Sequence, residues 1–338
     1  MAPVQVISTD MTDIIAISDA SLRRASDILA AGGLVAFPTE TVYGLGANAC
    51  DGNAVAGIFQ AKNRPNFNPL ISHVATCQTA FQLGVETDFA TILADCFWPG
   101  PLTLVLDRTK DCPVAMLTTA GLDKIAVRVP AHEQAQKLLA ICDMPIAAPS
   151  ANPSGRISPS TAHHVHAGLA GKIDLILDGG PCENGLESTI IDCSGAAPVL
   201  LRPGGISRKA IETALHSAGL DCPIRDVDAL SDSDQPLAPG QLHSHYAPDA
   251  SVRLNATSQQ GDEELIGFGP VPGAGQLSLS LSPAGNMREA AANLFAMLHQ
   301  ADAVTTGTKR KIAIAPIPQD GIGEAINDRL QRAAAPRD

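Results

Sequence analysis

The stretch from Leu34 to Val74 constrains this chain more than any other. It reads LVAFPTETVYGLGANAC, then a helical segment, then IFQAKNRPNFNPLISHV. An apolar run at 34–37 predicts a buried strand that stops at Pro38, because proline fixes φ and has no N–H for a central ladder. Small polar residues follow (Thr39, Glu40, Thr41), then Tyr43, Gly44 and Gly46. Glycine there would let the backbone come close to a bound group. Lys62 and Arg64 lie two apart, just past a helix expected over 53–61, with Asn68 and His73 beyond them. A hydroxyl-rich loop facing a Lys-x-Arg pair can cradle a phosphate or a carboxylate. The same residues are equally compatible with a buried strand, a tight turn and a solvated basic pair.

The rest of the chain alternates helix and strand, which predicts an α/β fold. Ser18, Thr87 and Ser207 are placed to cap helices, and Gly32-Gly33 to end the first. Strands are expected at 34–37, 69–74, 102–106, 125–129, 145–148, 173–177, 187–192 and 198–201. Arg128 sits inside the apolar run IAVRV. A buried guanidinium needs a partner, either a structural carboxylate or a ligand. The run PSANPSGRIS (149–158) follows a strand directly, where α/β folds place ligands, although Asn-Pro and Ser-Gly also make ordinary turns. His163, His164 and His166 lack the i, i+4 spacing of a helical metal pair and read as surface or structural residues.

Seven separated blocks resemble, in one order, the YrdC-type domain of threonylcarbamoyl-AMP synthases. They are PTETVYGLGA, AKNRPNFNPLISHV, WPGPLTLVL, KIAVRVP, APSANPSGRISP, GLESTIID and LLRPG, spanning roughly residues 15–210. The tail from HYAP (245–248) onward is similar to the extra C-terminal domain of the long form. The resemblance implies a YrdC-like twisted mixed sheet with helices over 15–210. It further implies a linker over 211–250 acting as a lid, and a smaller Rossmann-like α/β domain over 251–338.

The activity implied is L-threonylcarbamoyladenylate synthesis. ATP, L-threonine and bicarbonate give threonylcarbamoyl-AMP and pyrophosphate, and a separate transferase complex then modifies tRNA. Such a reaction needs positioning and electrostatics rather than an enzyme nucleophile. By the same resemblance Lys62, Arg64, Asn68, Lys124, Ser150, Asn152, Ser158, Arg202 and Tyr246 bind ATP. Lys124 would do so through its backbone. Thr41, His73, Arg128, Ala148 and Ser188 bind threonine, with Thr39 and Tyr43 as further candidates. Mg²⁺ is expected to arrive with ATP, held by phosphate and water. The linker motif departs from the family pattern SPGMKYRHYAP: it reads APGQLHSHYAP, with Leu242 and Ser244 where Lys and Arg are expected. The lid's electrostatic share should therefore be smaller, or be carried by His243 and His245.

Composition narrows the alternatives. The net charge of −12 argues against a broad nucleic-acid or anionic-membrane face. That weakens the main rival, a YrdC-type module that binds RNA without catalysis. The eight cysteines are scattered with no Cys-x-x-Cys. They match neither a zinc site nor the zinc-finger regions of larger carbamoyl-transfer enzymes. With no secretory pattern in MAPVQVISTD, they predict reduced thiols in a cytoplasmic protein. With eleven aromatic residues (eight Phe, two Tyr, one Trp), the cores must be mainly aliphatic. Past the Asp- and Pro-rich run 221–240, strands are expected at 252–254, 265–268 and 312–317 and helices at 286–301 and 322–333.

Overall fold

The computed structural model describes residues 12–227, 238–239, 245–270, 279–308 and 310–336. Along the first part of the chain run β1 (Asp13–Ala16), α1 (Asp19–Ala30), β2 (Val35–Phe37), β3 (Gly44–Asn48), α2 (Gly52–Lys62) and β4 (Ile71–His73). Then come α3 (Cys77–Leu83), α4 (Asp88–Phe97), β5 (Leu102–Asp107), β6 (Lys124–Arg128), α5 (Glu133–Cys142) and β7 (Ile146–Ala147). The first part closes with α6 (Ala162–Leu169), β8 (Leu175–Asp178), β9 (Thr189–Asp192), β10 (Val199–Arg202), α7 (Arg208–Ser217) and β11 (Arg225–Asp226). The eleven strands form one mixed sheet in the order β1-β8-β2-β3-β7-β4-β6-β5-β9-β10-β11.

Strand alternation splits the apolar residues between two faces. Val35 and Phe37 pack with Leu22, Leu29 and Leu138 of α1 and α5. Leu34 and Ala36 join Ile58, Leu93, Val165 and Ile211 of α2, α4, α6 and α7 on the other face. The expected caps are present: the side chains of Ser18, Thr87 and Ser207 each accept a first-turn N–H.

The GLGAN segment is a strand, β3, antiparallel to β2, where a ligand loop was expected. A Cβ on Gly46 would lie 2.9 Å from the Phe37 ring, and one on Gly44 would lie 3.3 Å from Ala148 Cβ. These glycines make room for neighbouring side chains within the sheet rather than for a bound group. Tyr43 is likewise a core residue. Its hydroxyl donates to Gly180 O at 2.8 Å and accepts from Gly179 N.

The second part contains β12 (Val252–Arg253), β13 (Glu264–Phe268), β14 (Leu279–Ser282), α8 (Met287–Thr305), β15 (Ile312–Ile314) and α9 (Gly323–Ala334). Its four strands are all parallel, in the order β12-β15-β13-β14. This is the Rossmann-like arrangement expected, with β14 an additional strand. The core of this layer takes in Val42, Ile157 and Leu186 from the first part, together with Tyr246. The two parts therefore share an apolar contact. At that contact Gly185 (φ +61) lies on α8, where any Cβ would stand 2.4 Å from the Ala291 carbonyl oxygen.

Candidate functional site

A cavity lies between the central strands of the first sheet and the 245–248 segment. Thr41, Arg64, His73, Arg128, Ala148, Ser150, Ser188, Arg202 and Tyr246 line it, nine of the fourteen residues expected to bind substrates. Glu187, Pro239 and His245 line it as well.

One end is built around Arg128, the last residue of β6, in register with His73 on the parallel strand β4. Its guanidinium donates to Glu40 Oε1 at 2.6 Å, to Thr41 Oγ1 at 3.1 Å and to Gly100 O at 3.2 Å. Thr39 braces this loop through bonds to Thr41 Oγ1 and Val42 O, both 2.7 Å. Burial alone would raise the Glu40 carboxyl pKa, but the Arg128 charge and hydrogen bond hold it below its ordinary value. The second Glu40 oxygen is buried with no hydrogen-bond partner. Burial, helped by the Arg128 charge, pushes His73 down to about 3. A neutral ring whose Nδ1 lies 3.3 Å from Ile71 O donates from Nδ1, so Nε2 is an acceptor.

At the other end, among the described residues, Lys62 and Arg64 are held by carbonyl oxygens rather than carboxylates. Lys62, the last residue of α2, is fully buried, and its ammonium donates to Ser150 O at 2.5 Å and to Asn152 O. Burial and the neighbouring Arg64 charge lower its pKa strongly. Arg64 donates to the carbonyls of Asn68 and Pro69, and burial lowers it to about 10. Both polar atoms of the Asn68 side chain, Oδ1 of Asn152 and Nδ1 of His245 are buried without partners. Orphaned buried polar atoms are costly in a finished core and are ordinarily satisfied by an ordered water, an ion or a ligand. His245 does not supply the positive charge expected of it. Burial and the charges of Arg64, Lys62 and Arg202 keep its imidazole neutral. His243, Leu242 and Ser244 lie outside the described residues.

Between the ends, Arg202 donates to Ser188 O (3.2 and 2.9 Å), to Ser188 Oγ (3.1 Å) and to Pro239 O (3.2 Å). The linker is thus tied to the cavity through Pro239, and Tyr246 lies in it with a positive φ of 62°. A non-glycine residue held there is strained and needs its surroundings to hold it. Ser158 reaches the same region by donating to Glu187 Oε1 at 2.6 Å.

The Lys124 side chain is not brought to the cavity. It begins β6, four residues from Arg128 and so about 13 Å away along an extended strand, and its ammonium pairs with Asp192 at 2.7 Å. Sequence reasoning gave no role to Glu40, Glu187 or Arg329. For Arg329 a signal existed: Ile326, Arg329, Leu330 and Ala333 share one face of α9 at i, i+3, i+4, i+7 spacing. Glu40 and Glu187 were hidden among polar loop residues.

Fold and cavity together define an α/β protein with an interior, cation-rich chamber. Residues 27–204 match the family described as telomere recombination, which groups Sua5, YciO and YrdC proteins. Residues 206–335 match the threonylcarbamoyl-AMP synthase C-terminal domain. The threonylcarbamoyl-AMP synthase of Pyrococcus abyssi is 41% identical over 95% of this chain and 96% of its own length. That of Bacillus subtilis is 39% identical over 97% of both. The crystal structure of P. abyssi Sua5 complexed with L-threonine superposes with a TM-score of 0.84 at 40% identity, covering 96% of this chain and 98% of that one. The chain belongs to the threonylcarbamoyl-AMP synthase family, enzymes that make an AMP intermediate used in tRNA modification.

Proposed function

We propose that the chamber binds ATP, L-threonine and bicarbonate together and joins them as threonylcarbamoyl-AMP with release of pyrophosphate. The observation that carries this reading is the charge count of the interior. Around the cavity five buried cations (Lys62, Arg64, Arg128, Arg202, Arg329) stand against two buried carboxylates (Glu40, Glu187) and the partly buried Asp328 that pairs with Arg329. Uncompensated buried cations are unfavourable until an anion joins them. A triphosphate supplies that charge at the Lys62–Arg64–Arg202 end and raises the Lys62 pKa back toward its ordinary value.

The Arg128 end suits an amino acid. Arg128 offers donors to a carboxylate, and His73 Nε2 offers an acceptor to a substrate N–H or O–H. L-threonine, found in the P. abyssi complex, fits that set. The threonine nitrogen and bicarbonate give a carbamate with loss of water. The carbamate oxygen then attacks the α-phosphorus, and the bond to pyrophosphate breaks. Cations fixed in advance at both ends lower the barrier by neutralising charge and aligning the in-line displacement.

Among the described residues no group of three or more His, Cys, Asp or Glu is arranged to hold a metal. Both cavity carboxylates are engaged by arginines. The donor set thus fits a Mg²⁺ that enters on the triphosphate, where it would share the phosphate charge with Lys62 and Arg64. No helix of the described residues is long and apolar enough to cross a membrane. We place the reaction in the cytoplasm, with the product passing to a tRNA threonylcarbamoyl transferase complex and no direct tRNA contact, in line with the charge of −12.

The test is pyrophosphate release by the purified chain with ATP, L-threonine, bicarbonate and Mg²⁺, omitting each in turn. Release that requires both threonine and bicarbonate is expected. Release from ATP alone, or none in the complete mixture, would contradict the synthase reading and favour a binding module.

A further inference from the structure

Arg329 is the largest fully buried side chain among the described residues. It stands on the apolar face of α9, in the second domain, yet its partners belong to the first. Nε donates to Glu187 Oε2 at 2.9 Å, and Nη2 donates to Pro203 O at 2.9 Å. Nη1 is held by Asp328 of its own helix at 2.6 Å. The guanidinium carbon lies 5.3 Å from the centroid of the Tyr246 ring, within cation–π range. That ring also stacks on Phe295 of α8, with centroids 5.6 Å apart.

Each first-domain partner leads to the cavity. The second oxygen of Glu187 accepts from Ser158 Oγ, and Glu187 precedes Ser188, which Arg202 holds. The chain after Arg202 crosses that backbone so closely that a Cβ on Gly204 would lie 2.4 Å from the Glu187 carbonyl oxygen. The segment carrying Tyr246 is pinned on both sides. The His245 N–H donates to Arg332 O of α9 at 3.3 Å, and the Ala247 N–H donates to Gly155 O at 2.8 Å. A guanidinium with this many partners is pre-organised in a way an ammonium is not.

We propose that Arg329 is a positioning residue for the cavity, contributed by the second domain. Through Glu187 it sets Ser158, and through the Tyr246 ring it seats the 245–248 segment, so the nucleotide end is complete only when the domains are docked. The proposal rests on the synthase reading for what the cavity does, but the seating of the segment can be measured without turnover.

The experiment compares the full-length chain with Arg329→Lys, Arg329→Met and Glu187→Gln. Amide hydrogen exchange is read at Ala247 and, as a control for the second domain's core, at Ile314. Pyrophosphate release gives KM for ATP and for L-threonine separately. Arg329→Lys should speed exchange at Ala247 at least tenfold with Ile314 unchanged. It should raise KM for ATP about tenfold or more and leave KM for threonine within twofold. Glu187→Gln should raise KM for ATP with a smaller effect on Ala247.

A merely structural arginine would lower kcat through loss of folded protein, speed Ile314 and Ala247 alike and leave both KM values in place. That result overturns the proposal, as does an Ala247 rate and KM for ATP within twofold of the parent in Arg329→Lys. If Arg329→Met does not fold, the other two variants carry the test. If the parent chain releases no pyrophosphate, the synthase reading fails, and the Ala247 rates alone decide whether Arg329 seats the segment.

Discussion

The two ends of the cavity treat buried positive charge in opposite ways. Arg128 is matched by Glu40 at 2.6 Å, and its guanidinium is hydrogen-bonded to a hydroxyl and a carbonyl besides. Lys62 and Arg64 are equally buried, but the hydrogen bonds they make are to carbonyl oxygens. A balanced end can exist empty and still orient a zwitterion, whose own charges nearly cancel. An unbalanced end is stable only by virtue of the fold around it and is improved by a polyanion. One cavity can thereby keep an amino acid and a nucleotide in separate places without a wall between them.

This contrast can be broken most forcefully at Arg128. Arg128→Met leaves Glu40 buried without its cation, which should cost about 3–5 kcal/mol and abolish threonine-dependent turnover. Urea unfolding and pyrophosphate release measure the two effects. A loss below 1 kcal/mol would mean that the pair is not the support it looks to be.

A subtler change converts one end into the other. Glu40→Gln keeps a side chain that can accept from Arg128 but removes the balancing charge. Inorganic phosphate should then compete with L-threonine about tenfold more strongly, a shift of about 1.4 kcal/mol, seen in inhibition kinetics at varied threonine. Unaltered phosphate inhibition would show that Glu40 does not set the preference of that end.

The third prediction concerns acid. His73, His245, His164 and His299 all have pKa values held below the ordinary 6.5, chiefly by burial. His164 and His299 stack across the domain contact at 3.9 Å. The unfolded chain takes up protons below pH 6.5 that the folded chain refuses, so stability should fall as the pH drops from 6.5. His73 alone accounts for about 1.4 kcal/mol per pH unit once well below its ordinary pKa. The depressed carboxylates Glu40 and Glu187 add their loss only below their usual 4.5. His73→Asn should flatten the slope between pH 6.5 and 4.5, and an unchanged slope would place the proton uptake elsewhere.

Much of this was legible in the sequence, for identifiable reasons. The strand–Pro38 stop and the capping residues are local signals with one physical meaning each, and Arg128 in an apolar strand announces a buried partner. The resemblance placed nine cavity residues together, although they come from loops and strands far apart in the chain. What escaped depends on packing that no local pattern encodes. Gly44 and Gly46 looked like a ligand loop but serve the Phe37 ring and Ala148. Tyr43 looked like a binding residue but spends its hydroxyl on Gly179 and Gly180. Lys124, expected at the nucleotide through its backbone, puts its ammonium on Asp192. Arg329 was overlooked because its hydrogen-bond partners in the first part, Glu187 and Pro203, lie more than a hundred residues away.

The central claim is that the Lys62–Arg64 end is held open for a polyanion, and unfolding of Arg64→Met with and without pyrophosphate tests it most directly. The account predicts that without ligand this variant stays within about 1 kcal/mol of the parent, since the hydrogen bonds lost are modest. Pyrophosphate at about a hundred times its Kd should stabilise the parent by about 2.7 kcal/mol and the variant by far less. A variant that is strongly destabilised without ligand yet keeps the full pyrophosphate shift would show that Arg64 is structural and that the polyanion binds elsewhere.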